Sequence, residues 1–360
     1  MHAPDTAGLE SYLQYLWDHG ATDLHLAAGT QARVRIDGRL VPVPQSPELT
    51  SEFMHQVFAA LITEAETDEM TRERQLDFAF TWADRARFRA NAFYQLDRPA
   101  LALRLIPAHV PTPEDIGLPA STSQLLNRPH GLVLMTGPTG SGKSTTLAAM
   151  VGWINRNRPL HILTIEDPIE YIHAPVEALV NQREVGRDAV SFPDALHAAL
   201  REDPDVVLVG EMRDLETIAL TLTLAETGHL VFATLHTTGS ARTMDRIIDQ
   251  FPPDQQEQVR VQLSVSILAV ISQVMMPRSD KPGVIVAFEV MIMNPAIENH
   301  IRKAETFKIP STIQTSKNLG MFLLDDNLLE LYKGGKISRE TLLAKAQSPR
   351  MLEQKLQGMN

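Results

Sequence analysis

The sequence predicts an α/β protein in two parts, and three observations support that reading. Polar–apolar alternation mixed with helical spacing fills roughly the first 107 residues. Prolines then cluster at positions 107, 111, 113 and 119, where neither a helix nor a central strand can run on. Beyond them, short continuous apolar runs alternate with helical stretches, as buried parallel strands do in a doubly wound sheet. The predicted division is a first domain over 1–107, a linker over 108–119 and a second domain over 120–360, and 360 residues suits two domains.

Leu9, Tyr12, Leu13, Leu16 and Trp17 repeat at helical spacing, and Gly20 stops that helix. Arg33 to Val41 alternates about Asp37-Gly38, a hairpin signal. Ser51 to about Arg74 reads as one helical stretch. Alternation returns over Leu76–Phe80 and Ala86–Phe93, and Leu101–Ile106 reads as one more strand. In the second part the continuous runs are Gly131–Thr136, His161–Ile165, Val206–Val209 and Leu230–Leu235. From Asp254 the pattern reads as mainly helical, Val259–Val274 included, apart from an edge strand over Gly283–Glu289.

Lys and Arg number 33 against 44 Asp and Glu, a formal charge of −11. That balance argues against a broad grip on a phosphate backbone, so no nucleic-acid partner is expected. Cysteine is absent, which excludes disulfides, Cys-ligated zinc, iron–sulfur clusters and thiol chemistry. The most apolar stretch, Val261–Met276, is interrupted by Gln262, Ser264, Ser266, Ser272 and Gln273, so no membrane span is predicted. Residues Met1–Asp5 lack the basic-then-apolar layout of a secretory signal, and the expected location is cytoplasmic.

The most informative segment is Gly137-Pro138-Thr139-Gly140-Ser141-Gly142-Lys143-Ser144. It follows an apolar strand and opens a helix, the setting a phosphate-binding loop needs. Its glycines let backbone N–H groups curl around phosphate oxygens, and the helix N-terminus adds partial positive charge. Lys143 then reaches the β- and γ-phosphates, and the Ser144 hydroxyl ligates Mg²⁺. Three further polar groups follow apolar strands: Glu166-Asp167 with Glu170 close behind, Glu211 after Gly210, and His236. The C-terminal edge of an open α/β sheet is where ligands bind, so these groups converge on one site. Glu211 is the candidate general base that orients the attacking water. Gly210 stands where many P-loop enzymes carry Asp, so carboxylate help to Mg²⁺ falls to Glu166 or Asp167 acting through water. His229 and His236 are seven apart, and an odd spacing on one strand argues against a shared metal. His236 reads as a γ-phosphate or inter-strand sensor, while His229 closes a turn after Gly228.

These segments, together with Thr22-Asp23-Leu24-His25, Leu200-Arg201-Glu202-Asp203-Pro204-Asp205, Gly210-Glu211-Met212-Arg213-Asp214 and Ala225–His236, resemble the motifs of the PilT/PilU-type ATPases. Those are retraction motors of type IV pili within the type II/IV secretion ATPase superfamily. The resemblance runs from near residue 8 to about 345. It implies a PAS-like N-terminal domain and a RecA-like P-loop ATPase domain with a mainly helical C-terminal extension. It also implies ATP and Mg²⁺ as cofactors, with Gly137 to Ser144 and Thr145 around the phosphates. Glu166, Asp167 and Glu170 correspond to the Asp box, Glu211 to the Walker B carboxylate, and His229 and His236 to the His box. Arg89 and Arg104 match arginines that the family brings near the phosphates.

A homo-hexamer is implied, peripheral at the inner membrane through a pilus platform protein, with a paralogous retraction ATPase as a further partner. The missing C-x-x-C zinc element favours the retraction branch over assembly ATPases. An accessory PilU-like ring subunit with little activity of its own is the alternative. A nucleic-acid translocase on the same core is the third reading, and the acidic balance weighs against it.

Overall fold

The computed structural model describes residues 8–36, 38–83, 85–106 and 109–357. It divides into two compact units, residues 1–109 and 110–360. In the first unit the order is α1 (Glu10–Asp18), β1 (Asp23–Ala27), β2 (Arg33–Ile36), β3 (Arg39–Pro42), α2 (Ser51–Leu61), α3 (Glu64–Glu73), β4 (Gln75–Trp82), β5 (Ala86–Gln95) and β6 (Arg98–Ile106). The strands form an antiparallel sheet of order β3-β2-β1-β6-β5-β4. Leu24, Val34, Phe78, Phe88, Ala90 and Leu103 alternate onto one face and pack with Leu13 and Leu16 of α1 and Met54 of α2. Asp37, half of the expected hairpin turn, lies outside the described residues, while its neighbour Gly38 has φ +78°.

The single helix expected over Ser51–Arg74 is two. Ile62 is extended, and Thr63 starts α3 with a capping box in which its hydroxyl and the Glu66 carboxylate each serve the other's backbone. That local hydrogen bonding competes with a continuous helix and wins.

The second unit runs β7 (Gly131–Thr136), α4 (Lys143–Asn157), β8 (His161–Glu166), β9 (Leu179–Glu184), α5 (Phe192–Ala199), β10 (Val206–Val209), α6 (Leu215–Glu226), β11 (Leu230–Leu235), α7 (Ser240–Ile248), α8 (Gln256–Ser266), β12 (Ile267–Pro277), β13 (Val284–Ile292), α9 (Pro295–Arg302), α10 (Ile309–Thr315), α11 (Leu324–Lys333), α12 (Arg339–Lys345) and α13 (Pro349–Gln357). Its sheet has the order β13-β12-β7-β11-β10-β8-β9, parallel except for β13 against β12. Both faces are covered, which explains the continuous apolar runs. Leu132, Leu134, Val207, Val231 and Ala233 face α5 to α10, and Val133, Met135, Leu208 and Phe232 face α4. Helices α11 to α13 pack on Val274, Met276 and Ala287, which extend beyond the main core.

Two readings of this unit are corrected. Val259–Val274 is helical only as far as Ser266. Ile267 onward is strand β12, buried on both faces beside β7. A short apolar run rich in β-branched residues suits either state, and pairing with β7 decided it. Strand β9 was not expected, because Leu179–Glu184 alternates weakly at the sheet edge. The edge strand expected at Gly283–Glu289 is present as β13.

Candidate active site

Strands β7, β11, β10 and β8 are neighbours and parallel, so the segments following them emerge along one edge. After β7 the chain turns through Gly137, with φ +145°, and Gly142, with φ +88°, into α4. Both backbone conformations are ones that L side chains rarely adopt, and at Gly137 the space is also taken by backbone. A Cβ on Gly137 would lie 2.3 Å from the Gln273 carbonyl oxygen, and one on Gly142 would lie 2.9 Å from Met275 Cε. Pro138, Thr139 and Gly140 form the exposed crown of the turn, and Ser144 is half-buried on the first turn of α4. The Thr145 hydroxyl pairs with Tyr171 Oη at 3.0 Å.

Lys143 is buried, and its ammonium donates to the carbonyls of Gly137 at 2.8 Å and Pro138 at 3.2 Å. Burial lowers its pKa, against the opposing pull of Glu211 and Glu170. Both carboxylates therefore act on the lysine that the loop carries. Thr136 Oγ1, just before the loop, and Ser141 Oγ, within it, are buried without a hydrogen-bond partner among the described residues. They are spare donors for an oxygen-rich ligand.

Glu211 follows β10 and is largely shielded. Arg213 Nη2 pairs with one carboxylate oxygen at 2.5 Å, and His236 Nε2 lies 3.3 Å from the other. His236 comes from the end of β11, so the ends of β10 and β11 bring Glu211 and His236 together. Arg213 was not foreseen as a partner, since a cation two residues past a strand end reads as a solvated loop. The glycine at 210 has a local reason. A Cβ there would sit 3.2 Å from both Glu166 Cα and the Ile165 carbonyl oxygen, so an aspartate at this point would crowd the end of β8.

Glu166 accepts from the Thr164 hydroxyl at 2.7 Å and from Gln182 of β9 at 3.5 Å. Burial pushes its pKa up to about 7, with Glu170 adding to the rise. Asp167, next in sequence, is exposed. Ser144 and Glu166 line one small cavity with Tyr171, His173, Gly210 and Thr234. A hydroxyl and a carboxylate are hard oxygen donors, the set that suits Mg²⁺ arriving with phosphates and water. The residues present therefore fit that ion.

His229 stands at the other end of β11. Its Nδ1 lies 2.9 Å from the Leu224 carbonyl oxygen and 3.2 Å from the Thr227 hydroxyl. Seven residues of extended chain separate it from His236 by about 20 Å, so it stands apart from the phosphate loop of this chain. Among the described residues no group of three or more His, Cys, Asp or Glu could hold a metal ion.

Arg89 and Arg104 belong to the first unit, where they stand directly opposite each other on β5 and β6. Arg104 Nε donates to Asp23 Oδ1 at 2.8 Å. Asp23 is buried, and Arg35 approaches its other oxygen at 3.8 Å. Burial pushes the Asp23 pKa up, but the Thr22 hydroxyl, Arg104 and Arg35 together hold it below the ordinary value. Among the described residues, no helix is long and apolar enough to cross a membrane.

Comparison with known proteins agrees with this geometry. Residues 5–314 match the family model described as type II/IV secretion system protein. The type IV pilus retraction ATPase PilT of Pseudomonas aeruginosa is 47% identical over 92% of this chain and 95% of its own length. The type IV pilus ATPase PilU of the same organism is 38% identical over 94% of this chain and 88% of its own. The crystal structure of the pilus retraction motor PilT with bound ADP superposes with a TM-score of 0.88 at 43% identity, covering 96% of this chain and 98% of that one.

Proposed function

The chain belongs to the type II/IV secretion system protein family as one of its ATPases, and we propose that it is the ATP-driven motor of type IV pilus retraction. The observation that carries the reading is the meeting of Lys143, Glu211 and His236 at one sheet edge, in a chain that matches PilT along almost its whole length. Higher identity to PilT than to PilU favours the motor over the accessory subunit.

In this proposal the loop from Gly137 to Thr145 wraps the phosphates of ATP. Ser144 holds Mg²⁺, with Glu166 or Asp167 acting on it through water. Bound there, the ion neutralises charge on the phosphate oxygens. Glu211 orients a water and takes its proton as the water oxygen bonds to the γ-phosphorus, while the bond to the β-γ bridging oxygen breaks and ADP leaves. His236, already beside Glu211, senses whether a γ-phosphate is present. Arg89 and Arg104 supply positive charge to the transition state. Support for that role comes from their placement directly opposite each other on β5 and β6, which puts both guanidiniums on one face of the sheet, Arg104 held by Asp23. The working form is a homo-hexameric ring, cytoplasmic and held at the inner membrane by the pilus platform protein.

A strain lacking this chain should carry more pili and lose twitching. The wild-type gene should restore both, and Glu211→Gln should restore neither. Normal twitching in the deletion strain would refute the retraction role. Purified chain without its own ATPase activity would instead support the accessory reading.

A further inference from the structure

Strand β12 outruns its neighbour. The last residue of β7, Thr136, pairs with Ser272, and β12 continues to Pro277. The phosphate loop that follows β7 therefore curls over residues Gln273 to Met275, which is why Gly137 and Gly142 meet them. Gln273 is completely buried. Its Nε2 donates to the Ser141 carbonyl at 2.6 Å, and its Oε1 accepts from the Thr146 hydroxyl at 3.0 Å. One amide thus ties the loop's backbone to the first turn of α4. A primary amide is suited to this, because it donates and accepts at adjacent atoms.

Ser272 points to the opposite face, as alternation requires. Its hydroxyl accepts from Gly239 N at 3.0 Å. Directly across the ladder, Glu289 accepts from Ser240 N at 2.7 Å and from the Ser240 hydroxyl at 2.8 Å. Those bonds anchor the start of α7, four residues beyond His236. The segment between is short and tied to α7, with the Thr237 and Thr243 hydroxyls 2.8 Å apart. Adjacent residues of one rigid strand therefore hold the phosphate loop on one side and the His236 loop on the other.

We propose that Ser272 and Gln273 are positioning residues for ATP turnover: Gln273 sets the phosphate cradle, and Ser272, with Glu289, sets the loop that presents His236 to Glu211. A strand that served only as core would need no polar pair at this point. Burying a serine and a glutamine is favourable only where their partners are fixed.

The two roles separate in kinetics on the full chain. Gln273→Met keeps the volume but removes both bonds, and should raise the KM for ATP and the Kd for a fluorescent ADP about tenfold, with kcat lowered far less. Ser272→Ala should lower kcat about tenfold, leave ADP affinity within about twofold, and be rescued by Ser272→Thr, which restores the hydroxyl. Should Gln273→Met fail to fold, Thr146→Val cuts the same bridge from its other end and should weaken ADP binding at least about threefold. Unchanged ADP affinity in a folded Gln273 or Thr146 variant overturns the cradle assignment. A Ser272→Ala protein with normal kcat, or one that Ser272→Thr does not rescue, overturns the assignment of the His236 loop.

Discussion

Replacing Glu166 with glutamine tests the electrostatics of the site in the nucleotide-free protein. Burial raises this carboxyl from its ordinary 4.5 to about 7 in the folded chain. In the unfolded chain it ionises near the ordinary value. Below that value both states hold the proton and no penalty exists. As pH rises through the window from about 4.5 to about 7, the unfolded chain gains by ionising while the folded one does not. Stability is therefore lost as pH rises, and the loss is complete once the folded group also ionises. Moving the carboxyl from 4.5 to about 7 corresponds to about 3 kcal/mol. Glutamine keeps the shape and an acceptor for Thr164 but has no proton to lose. The expected result is that Glu166→Gln and wild type melt alike near pH 4 and diverge by pH 8, with the variant more stable by about 3 kcal/mol, or roughly 6–12 °C for a unit of this size. His173, which burial lowers from 6.5 to about 4, adds its own pH dependence in this window, but equally in both proteins, so it cancels from their difference. Urea or thermal unfolding of both proteins across this pH range provides the measurement. An offset between the two proteins that does not change with pH would refute the reasoning.

Three further substitutions test the charged groups. Lys143→Ala should abolish nucleotide binding in a direct titration, whereas Glu211→Gln should bind ADP normally and lose at least about a hundredfold in kcat; normal turnover by the Glu211 variant would remove its assigned role. Asp23→Asn should cost about 2 kcal/mol at neutral pH by releasing Arg104 and Arg35. The deficit should disappear as pH falls through the depressed pKa of Asp23, because wild type then loses the same charge.

Much of this site is legible in the sequence, for a physical reason. The phosphate loop is a local object: its glycines, lysine and flanking strand and helix lie within 20 residues, so pattern alone places Gly137 to Ser144. The convergence of Glu166, Glu211 and His236 needs only the rule that parallel strands align their C-terminal ends. What escaped depends on partners far away in sequence. Gln273 bonds residues more than 120 positions earlier, and a glutamine inside Ile267–Met276 reads only as an interruption of an apolar run. Thr63 was passed over because the helical pattern on either side of it is in phase. Arg213 is charged and exposed in most of its length, and only the fold reveals that its tip reaches Glu211.

The charged groups gathered at this sheet edge are engaged with one another. Lys143 uses two of its three ammonium donors on carbonyls of its own loop. Both Glu211 oxygens face cation-capable side chains, Arg213 and His236. Phosphates reaching this edge must compete for Lys143, and a water to be oriented by Glu211 must compete with Arg213 or His236. Each exchange swaps one charge-assisted hydrogen bond for another, so the net gain per exchange is small. The displaced partners belong to different segments, the phosphate loop, the turn after β10 and the turn after β11. Because Ser272 and Gln273 fasten two of those segments to one strand, motion forced on one cannot be absorbed by it alone. For the motor proposed above, modest binding energy with obligatory rearrangement is the profile required, since a site that bound ATP rigidly would have no reason to move and little tendency to release ADP.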